Sequence, residues 1–105
     1  MENIYKSVSV ANWAGRQIVQ SLLDRISPKS SYWNEERDKT IRKLRKVIAT
    51  ANAFHSDARE YWMYNVIDWL RDFNTHYKSD NDIKWAILCL RHSLEHGWNF
   101  EIRKG

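Results

Sequence analysis

Residues 34–54 read NEERDKTIRKLRKVIATANAF. Apolar side chains recur in this stretch at spacings of three, three, one, three and three residues: Ile41, Leu44, Val47, Ile48, Ala51 and Phe54. This is the period of an amphipathic helix that buries one face. Glu35 and Glu36 add negative charge to the first turn, where the helix dipole favours it. The stretch therefore predicts a helix over 34–54, the second of the chain.

The residues before this stretch repeat the same signal. Small or apolar side chains fall within one arc of a helical wheel at about 100° per residue: Val8, Ala11, Gly15, Ile18, Val19, Leu22, Leu23 and Ile26. Pro28 disfavours helical geometry in Ser27, the residue before it. We therefore expect a first helix over 8–26.

A third helix is predicted after residue 56. Asp57, with Glu60 three residues later, matches the reciprocal capping pattern of a helix start. Apolar side chains continue at helical spacing as far as Tyr77. Together these signals predict one uninterrupted helix over 57–77.

The last part of the chain predicts a fourth helix and a tail. Asp80 or Asn81 can cap a helix over 81–96, and Gly97 is a favoured residue just past a helix end. Apolar and polar side chains then alternate over 98–102, which suits a short extended segment with one buried side.

Composition favours helices in a single domain. The 105 residues include three glycines and one proline, which is little turn chemistry for a many-stranded sheet. The apolar fraction of 43% argues against intrinsic disorder. No internal repeat or flexible linker divides the chain. We predict an all-α protein: a compact four-helix bundle in one domain, residues 1–105, with a short C-terminal tail.

Several features indicate where the protein works. The longest apolar run, Trp85–Leu90, has six residues and is too short to cross a membrane. Cys89 is the sole cysteine and cannot close an internal disulfide. The first residues lack the apolar stretch of a secretory signal. We therefore expect a cytoplasmic protein with no membrane partner.

Positive charge is concentrated on the second helix. Residues 37–46 carry six basic side chains and one acid, a local net charge of +5 against +4 for the whole chain. We call residues 37–46 the basic ridge. Its basic residues are Arg37, Lys39, Arg42, Lys43, Arg45 and Lys46. Lys39, Arg42, Lys43 and Lys46 are predicted to lie on the side of the helix opposite the apolar face.

The basic ridge has three interpretations. Cations every three or four residues can follow the phosphates of a nucleic acid, with Tyr32 and Trp33 stacking on unpaired bases. In that interpretation Arg37 and Arg45 join the same surface. The same charge also suits an acidic protein surface. The third interpretation is a solvated helix face whose cations pair with nearby acids: Glu35, Glu36 and Asp38.

Six tryptophans are more large rings than one small core needs. Trp13 lies away from the apolar arc of the first helix, and Tyr64 lies off the main apolar seam of the third, near Arg71. Tryptophan, tyrosine and arginine dominate the energetic centres of protein interfaces. Trp13 and Tyr64 are therefore candidate partner contacts. The alternative is that they pack over a neighbouring helix or loop of the same chain.

The predicted fourth helix has a second apolar stripe besides its core seam: Trp85, Leu88, Cys89, His92 and His96. This stripe is covered by the C-terminal tail, covered by another chain, or open to a ligand. A second copy of the chain would make a homodimer. One sulfur and two imidazoles on adjacent turns also suit zinc, but they need a fourth ligand from elsewhere. A metal site at Cys89, His92 and His96 is thus an alternative, and the leading prediction includes no metal or cofactor.

No catalytic motif is recognisable. Asp68 and Asp72 lie one turn apart, close enough for paired-carboxylate chemistry. Arg71 lies beside them, and surface charge pairing is the simpler interpretation. We predict no enzymatic activity.

The sequence favours a small non-enzymatic binding protein of inhibitor or adaptor type, with the size and composition of short helical proteins encoded by phages and mobile elements. It would dock on a protein with an acidic surface. The predicted contacts are Trp13, Tyr64 and Trp85, with Lys39, Arg42, Lys43 and Lys46 steering the partner. The alternatives are nucleic-acid or nucleotide binding by the basic ridge and metal-dependent chemistry on the fourth helix.

Overall fold

A computed structural model describes the backbone of residues 8–52 and 61–96, and within these ranges the side chains of residues 11–50 and 63–95. Five helices are present there: α1 (Val8–Arg25), α2 (Trp33–Asn52), α3 (Tyr61–Arg71), α4 (Phe73–His76) and α5 (Asp80–His96). No strand occurs in these ranges, so the predicted all-α class is confirmed.

The first, second and fourth predicted helices correspond to α1, α2 and α5. Their described ends agree with the prediction to within one or two residues. The start of α5 differs in its capping residue. The hydroxyl of Ser79 accepts a hydrogen bond from the backbone N–H of Asp82 at 3.1 Å, so Ser79 caps this helix rather than Asp80 or Asn81. The predicted extended segment over 98–102 lies outside the described residues.

The prediction of one uninterrupted helix over 57–77 is wrong at its C-terminal end. The helix stops at Arg71, and Asp72 adopts φ −99° and ψ 8° before the single turn of α4. The chain bends here without proline or glycine. The bend accompanies complete burial of Phe73, which follows it directly. Tyr77, with φ −120° and ψ 101°, ends the segment in an extended conformation.

The helices enclose one hydrophobic core. The short connection over residues 26–32 folds α2 back against α1, and α2 also packs against α3. On its other side α1 packs against α5. The most deeply buried apolar side chains come from all five helices: Val19, Leu22, Trp33, Leu44, Val47, Met63, Val66, Leu70, Phe73, Ala86, Leu90 and Leu94.

An aromatic cluster closes one end of this core. The ring centroid of Phe73 lies 5.5 Å from Trp33, 4.8 Å from Trp69 and 5.0 Å from Tyr77. These separations are typical of favourable tilted and edge-to-face ring pairs. The indole N–H of Trp69 donates to the Tyr77 hydroxyl at 3.1 Å. The cluster joins the first turn of α2 to α3, to α4 and to the residue after α4.

Polar contacts tie the helix ends together. The Arg25 guanidinium meets the Glu36 carboxylate at 3.0 Å across the α1–α2 connection. The Lys29 ammonium lies 2.7 Å from Asp80 at the start of α5. The Asn74 amide of α4 donates to the Asn34 side-chain oxygen of α2 at 3.2 Å. Because these groups are exposed, each contact adds little stability, but together they favour one arrangement of the helix ends.

We expect the Phe73→Ala variant to lose about 3–5 kcal/mol of the free energy of unfolding, because it leaves a cavity among three aromatic rings. Urea denaturation followed by circular dichroism measures this loss. The control is Tyr64→Ala, which truncates a side chain that is 44% exposed and should cost less than about 1 kcal/mol. A loss below about 1 kcal/mol for Phe73→Ala would contradict the central position of the aromatic cluster.

Candidate functional site

Three large apolar side chains on α1 and α5 are more than half exposed. The exposed fractions are 61% for Trp13, 51% for Trp85 and 55% for Leu88. The predictions that Trp13 and Trp85 lie outside the core are therefore confirmed, as is the exposure of Tyr64 on α3.

Helix geometry places Trp13 on the outer side of α1. Ala11, Val19 and Leu22 are buried on the opposite side. Trp13 and Asp24 are eleven residues apart, which is about three turns, so they lie on one line along the helix. Gln17 and Gln20 lie between them on the same line. The line therefore carries one large ring at one end and a carboxylate at the other.

On α5 the exposed stripe lies opposite the core line of Ala86, Leu90 and Leu94. Trp85 and Leu88 belong to this stripe and border an open groove of 620 Å³. The other groove residues are Cys89, Arg91, His92, Ser93 and Glu95. The second apolar stripe predicted on this helix thus forms an open groove over the described residues.

One ion pair joins the exposed line of α1 to the exposed stripe of α5. The Arg91 guanidinium lies 2.9 Å from the Asp24 carboxylate. The Gln20 amide donates to the same carboxylate at 3.3 Å. Leu88 is one helical turn from Arg91, on the same side of α5. We call the exposed residues of these two helices the α1–α5 face and define it by Trp13, Asp24, Trp85, Leu88 and Arg91; Trp13 lies about 16 Å along α1 from Asp24.

The N-terminal half of the basic ridge pairs with Asp38 and with the two acids that directly precede the ridge, Glu35 and Glu36. The Lys39 ammonium lies 3.6 Å from Glu35 and 3.9 Å from Glu36. Arg37 contacts Asp38 at 3.2 Å, and its side chain is only 15% exposed. The prediction that Arg37 shares the outer surface of the ridge is therefore wrong, because Arg37 lies toward the core side of α2. Lys39 is exposed as predicted.

The C-terminal half of the ridge contains four cations and no acid. It consists of Arg42, Lys43, Arg45 and Lys46, and all four side chains are exposed. None of them has an ion-pair partner among the residues that the structure describes. Four cations within five residues therefore face solvent with no ion pair to a described acid, and the charge of Lys43 contributes to the lowered pKa of Glu36.

Of the two rings predicted to accompany the ridge, only Tyr32 is available. Tyr32 is 67% exposed, whereas Trp33 is 1% exposed and contacts Phe73. The prediction that Trp33 stacks on a base is wrong. The physical reason is helix register: Trp33 is seven residues before Thr40 and eleven before Leu44, both buried, so all three lie on the core line. A predicted helix that began one residue earlier, at Trp33, would have placed this ring on the core line.

Neighbouring charges at the start of α2 change the pKa of one carboxyl group, that of Glu36. The pKa of Glu36 is lowered, first by the hydrogen bond from Arg25, with loss of hydration opposing the change, and further by the positive charge of Lys39. The ionised form of Glu36 is therefore favoured in the folded protein.

The structure also locates the predicted carboxylate pair and part of the predicted metal site. Asp68 pairs with Arg71 at 2.7 Å, as the surface interpretation predicts. Cys89 is half-buried and His92 is exposed, whereas the His96 side chain lies outside the described residues. No group of three potential metal ligands occurs among the described side chains, and the three-residue metal site stays a prediction. Within the described ranges, no helix is long and apolar enough to cross a membrane.

Comparison with known proteins identifies no relative. No protein-family model, no curated protein and no solved structure matches the chain. The functional argument therefore starts from the geometry of the α1–α5 face and the basic ridge.

We expect the Arg25→Gln variant to raise the pKa of Glu36 toward the ordinary glutamate value, because the hydrogen bond that favours the carboxylate is removed. A lowered folded-state pKa stabilises the folded protein fully above the unfolded-state pKa of about 4.3. That stabilisation is lost as the pH falls through the folded-state pKa. Carboxyl carbon NMR of Glu36 measures the change. Arg71→Gln, which removes a different exposed ion pair, is the control; an unchanged Glu36 pKa in Arg25→Gln contradicts the assignment.

Proposed function

We propose that this chain is a small non-enzymatic docking protein, of inhibitor or adaptor type, that binds another protein through the α1–α5 face. The observation that carries the proposal is the exposure of Trp13, Trp85 and Leu88 on two helices joined by the Asp24–Arg91 pair. Because both helices belong to the packed core, these side chains are held by rigid elements.

The chemistry of the face is that of an interface centre. Tryptophan and arginine are enriched among the residues that contribute most binding free energy. Covering a large apolar side chain removes its surface from water and contributes about 1.5–3 kcal/mol. Gln17 supplies a polar group one turn from Trp13, and Gln20 and Asp24 follow farther along the same line of α1, so polar side chains adjoin the apolar contact as in an interface rim.

Charge supports an acidic partner. The chain carries a net charge of +4, and its densest positive patch lies on α2, next to α1 in the fold. Lys39, Arg42, Lys43 and Lys46 belong to a different helix from the α1–α5 face. In this proposal they attract the partner at a distance and raise the association rate, while Trp13, Trp85 and Leu88 make the contact. Tyr64 lies on α3 and is not included in the face.

We expect single Trp13→Ala and Trp85→Ala variants each to raise the Kd for the partner at least about 30-fold, the effect of an interface residue worth about 2 kcal/mol. The full-length chain serves as bait in its native host, and mass spectrometry identifies a stoichiometric protein. That protein is then purified and titrated against each variant by calorimetry.

The matched control is Tyr32→Ala, which removes an exposed ring from outside the α1–α5 face. Tyr32→Ala should leave the Kd unchanged within a factor of about 3. A captured protein that binds all three variants with equal affinity contradicts the proposal. Light scattering tests whether the α1–α5 face binds a second copy of this chain instead. A wild-type dimer that becomes monomeric in Trp85→Ala would identify a second copy as the partner and overturn the assignment to a different protein.

A further inference from the structure

The two halves of the basic ridge differ in how far nearby acids neutralise their positive charge. Asp38 lies in its first half, and Glu35 and Glu36 directly precede the ridge on the same helix; these acids pair with Arg37, Lys39 and the neighbouring Arg25. The helix from Thr40 to Asn52 contains no acid, and its four cations have no ion-pair partner in the described part of the chain. Ordinary solvated helix faces mix both signs. This half therefore presents a net positive surface, in which the charge of Lys43 also acts on the Glu36 carboxylate.

The four cations are spread around the helix rather than aligned in one row. At about 100° per residue they follow one another around the axis in the order Arg45, Arg42, Lys46 and Lys43, and together they cover about 160° of the circumference. A flat surface meets a narrow strip of a helix. Cations spread this widely can contact negative charge on two sides of the helix at once. A helix that lies in a groove of a duplex has a phosphate strand on each side, which is this geometry.

We propose that Arg42, Lys43, Arg45 and Lys46 form a second binding site, separate from the α1–α5 face, for the phosphate backbone of a duplex nucleic acid. Arginine contacts phosphate through two parallel hydrogen bonds, and lysine adds a flexible point charge. Around the axis the two arginines lie on one side of this surface and the two lysines on the other. The site lies on α2, a different helix from the two that carry the α1–α5 face.

The surroundings of the site indicate contact with phosphates and not with bases. The neighbouring ring of Trp33 is buried against Phe73 and offers no stacking platform. Tyr32 is exposed but lies ten residues before Arg42, about 15 Å along the helix. Phosphate contacts position a protein without reading the sequence. The binding is therefore independent of base sequence and does not require unpaired bases.

Fluorescence anisotropy with a labelled DNA duplex of about 20 base pairs tests the site through its salt dependence. Four phosphate contacts give a slope of about −3.6 for the logarithm of the binding constant against the logarithm of the salt concentration. Affinity then falls about 150-fold between about 50 mM and about 200 mM salt. In the Arg42→Gln/Lys46→Gln variant two contacts remain, the slope is about −1.8, and the same change in salt lowers affinity about 12-fold.

The matched control is Lys78→Gln/Lys84→Gln. Both of these lysines are exposed and without an ion pair in the described part of the chain. Because each variant removes two positive charges, this variant has the same net charge as the ridge variant. Its slope should equal that of the wild type. Trp13→Ala should also bind the duplex as the wild type does, which separates failure of this proposal from failure of the docking proposal.

Several results would overturn the proposal. These are no binding at about 50 mM salt, an equal change of slope in the ridge and control variants, or tighter binding to single strands than to the duplex. Poly-L-glutamate and vesicles containing an anionic phospholipid, matched in charge concentration, are the competing probes. If either displaces the duplex more effectively than unlabelled duplex does, the ridge recognises an acidic protein or a lipid surface instead. Circular dichroism of each variant verifies that the helical content is unchanged.

Discussion

The burial of Phe73 between Trp33 and Trp69 is the contact on which the arrangement of helices depends. Trp33 comes from the first turn of α2, and Trp69 comes from the last two turns of α3, so Phe73 holds these two helices at one end. The bend at Asp72 lies immediately before Phe73, and Tyr77 closes the cluster before α5 begins. The direction in which the chain enters α5 therefore follows from aromatic packing, with no turn residue at the bend.

Much of this fold was predictable because the helices are amphipathic. Periodic apolar side chains gave α1, α2 and α5 nearly to the residue, and Pro28 gave the end of α1. The break at Asp72 was not predictable, because neither proline nor glycine marks it and the burial of Phe73 that accompanies it includes a contact with Trp33, which is distant in sequence. The inward position of Trp33 follows from the same 3.6-residue period, and it was missed because the predicted helix began one residue too late.

The candidate surfaces were predictable only in part. Exposure of Trp13 and Trp85 follows from their positions opposite an apolar arc, which sequence shows directly. The pairing of Asp24 with Arg91 could not be predicted from the sequence, because these residues are far apart in the chain and only the packing of α5 on α1 brings them together. Sequence also gave the charge of the basic ridge but not its division, since the pairing of Lys39 and the inward side chain of Arg37 are tertiary facts.

The Asp24–Arg91 pair has a consequence for selectivity. In the free chain both side chains are partly hydrated, with 57% of Asp24 and 32% of Arg91 exposed. A surface laid over the α1–α5 face would strip water from both charges, and dehydrating an ion pair costs several kcal/mol unless new polar groups replace the lost water. A purely oily ligand would incur that penalty in full. In the proposed docking mode, the Asp24–Arg91 pair therefore disfavours a purely apolar ligand and favours a surface with matching donors and acceptors.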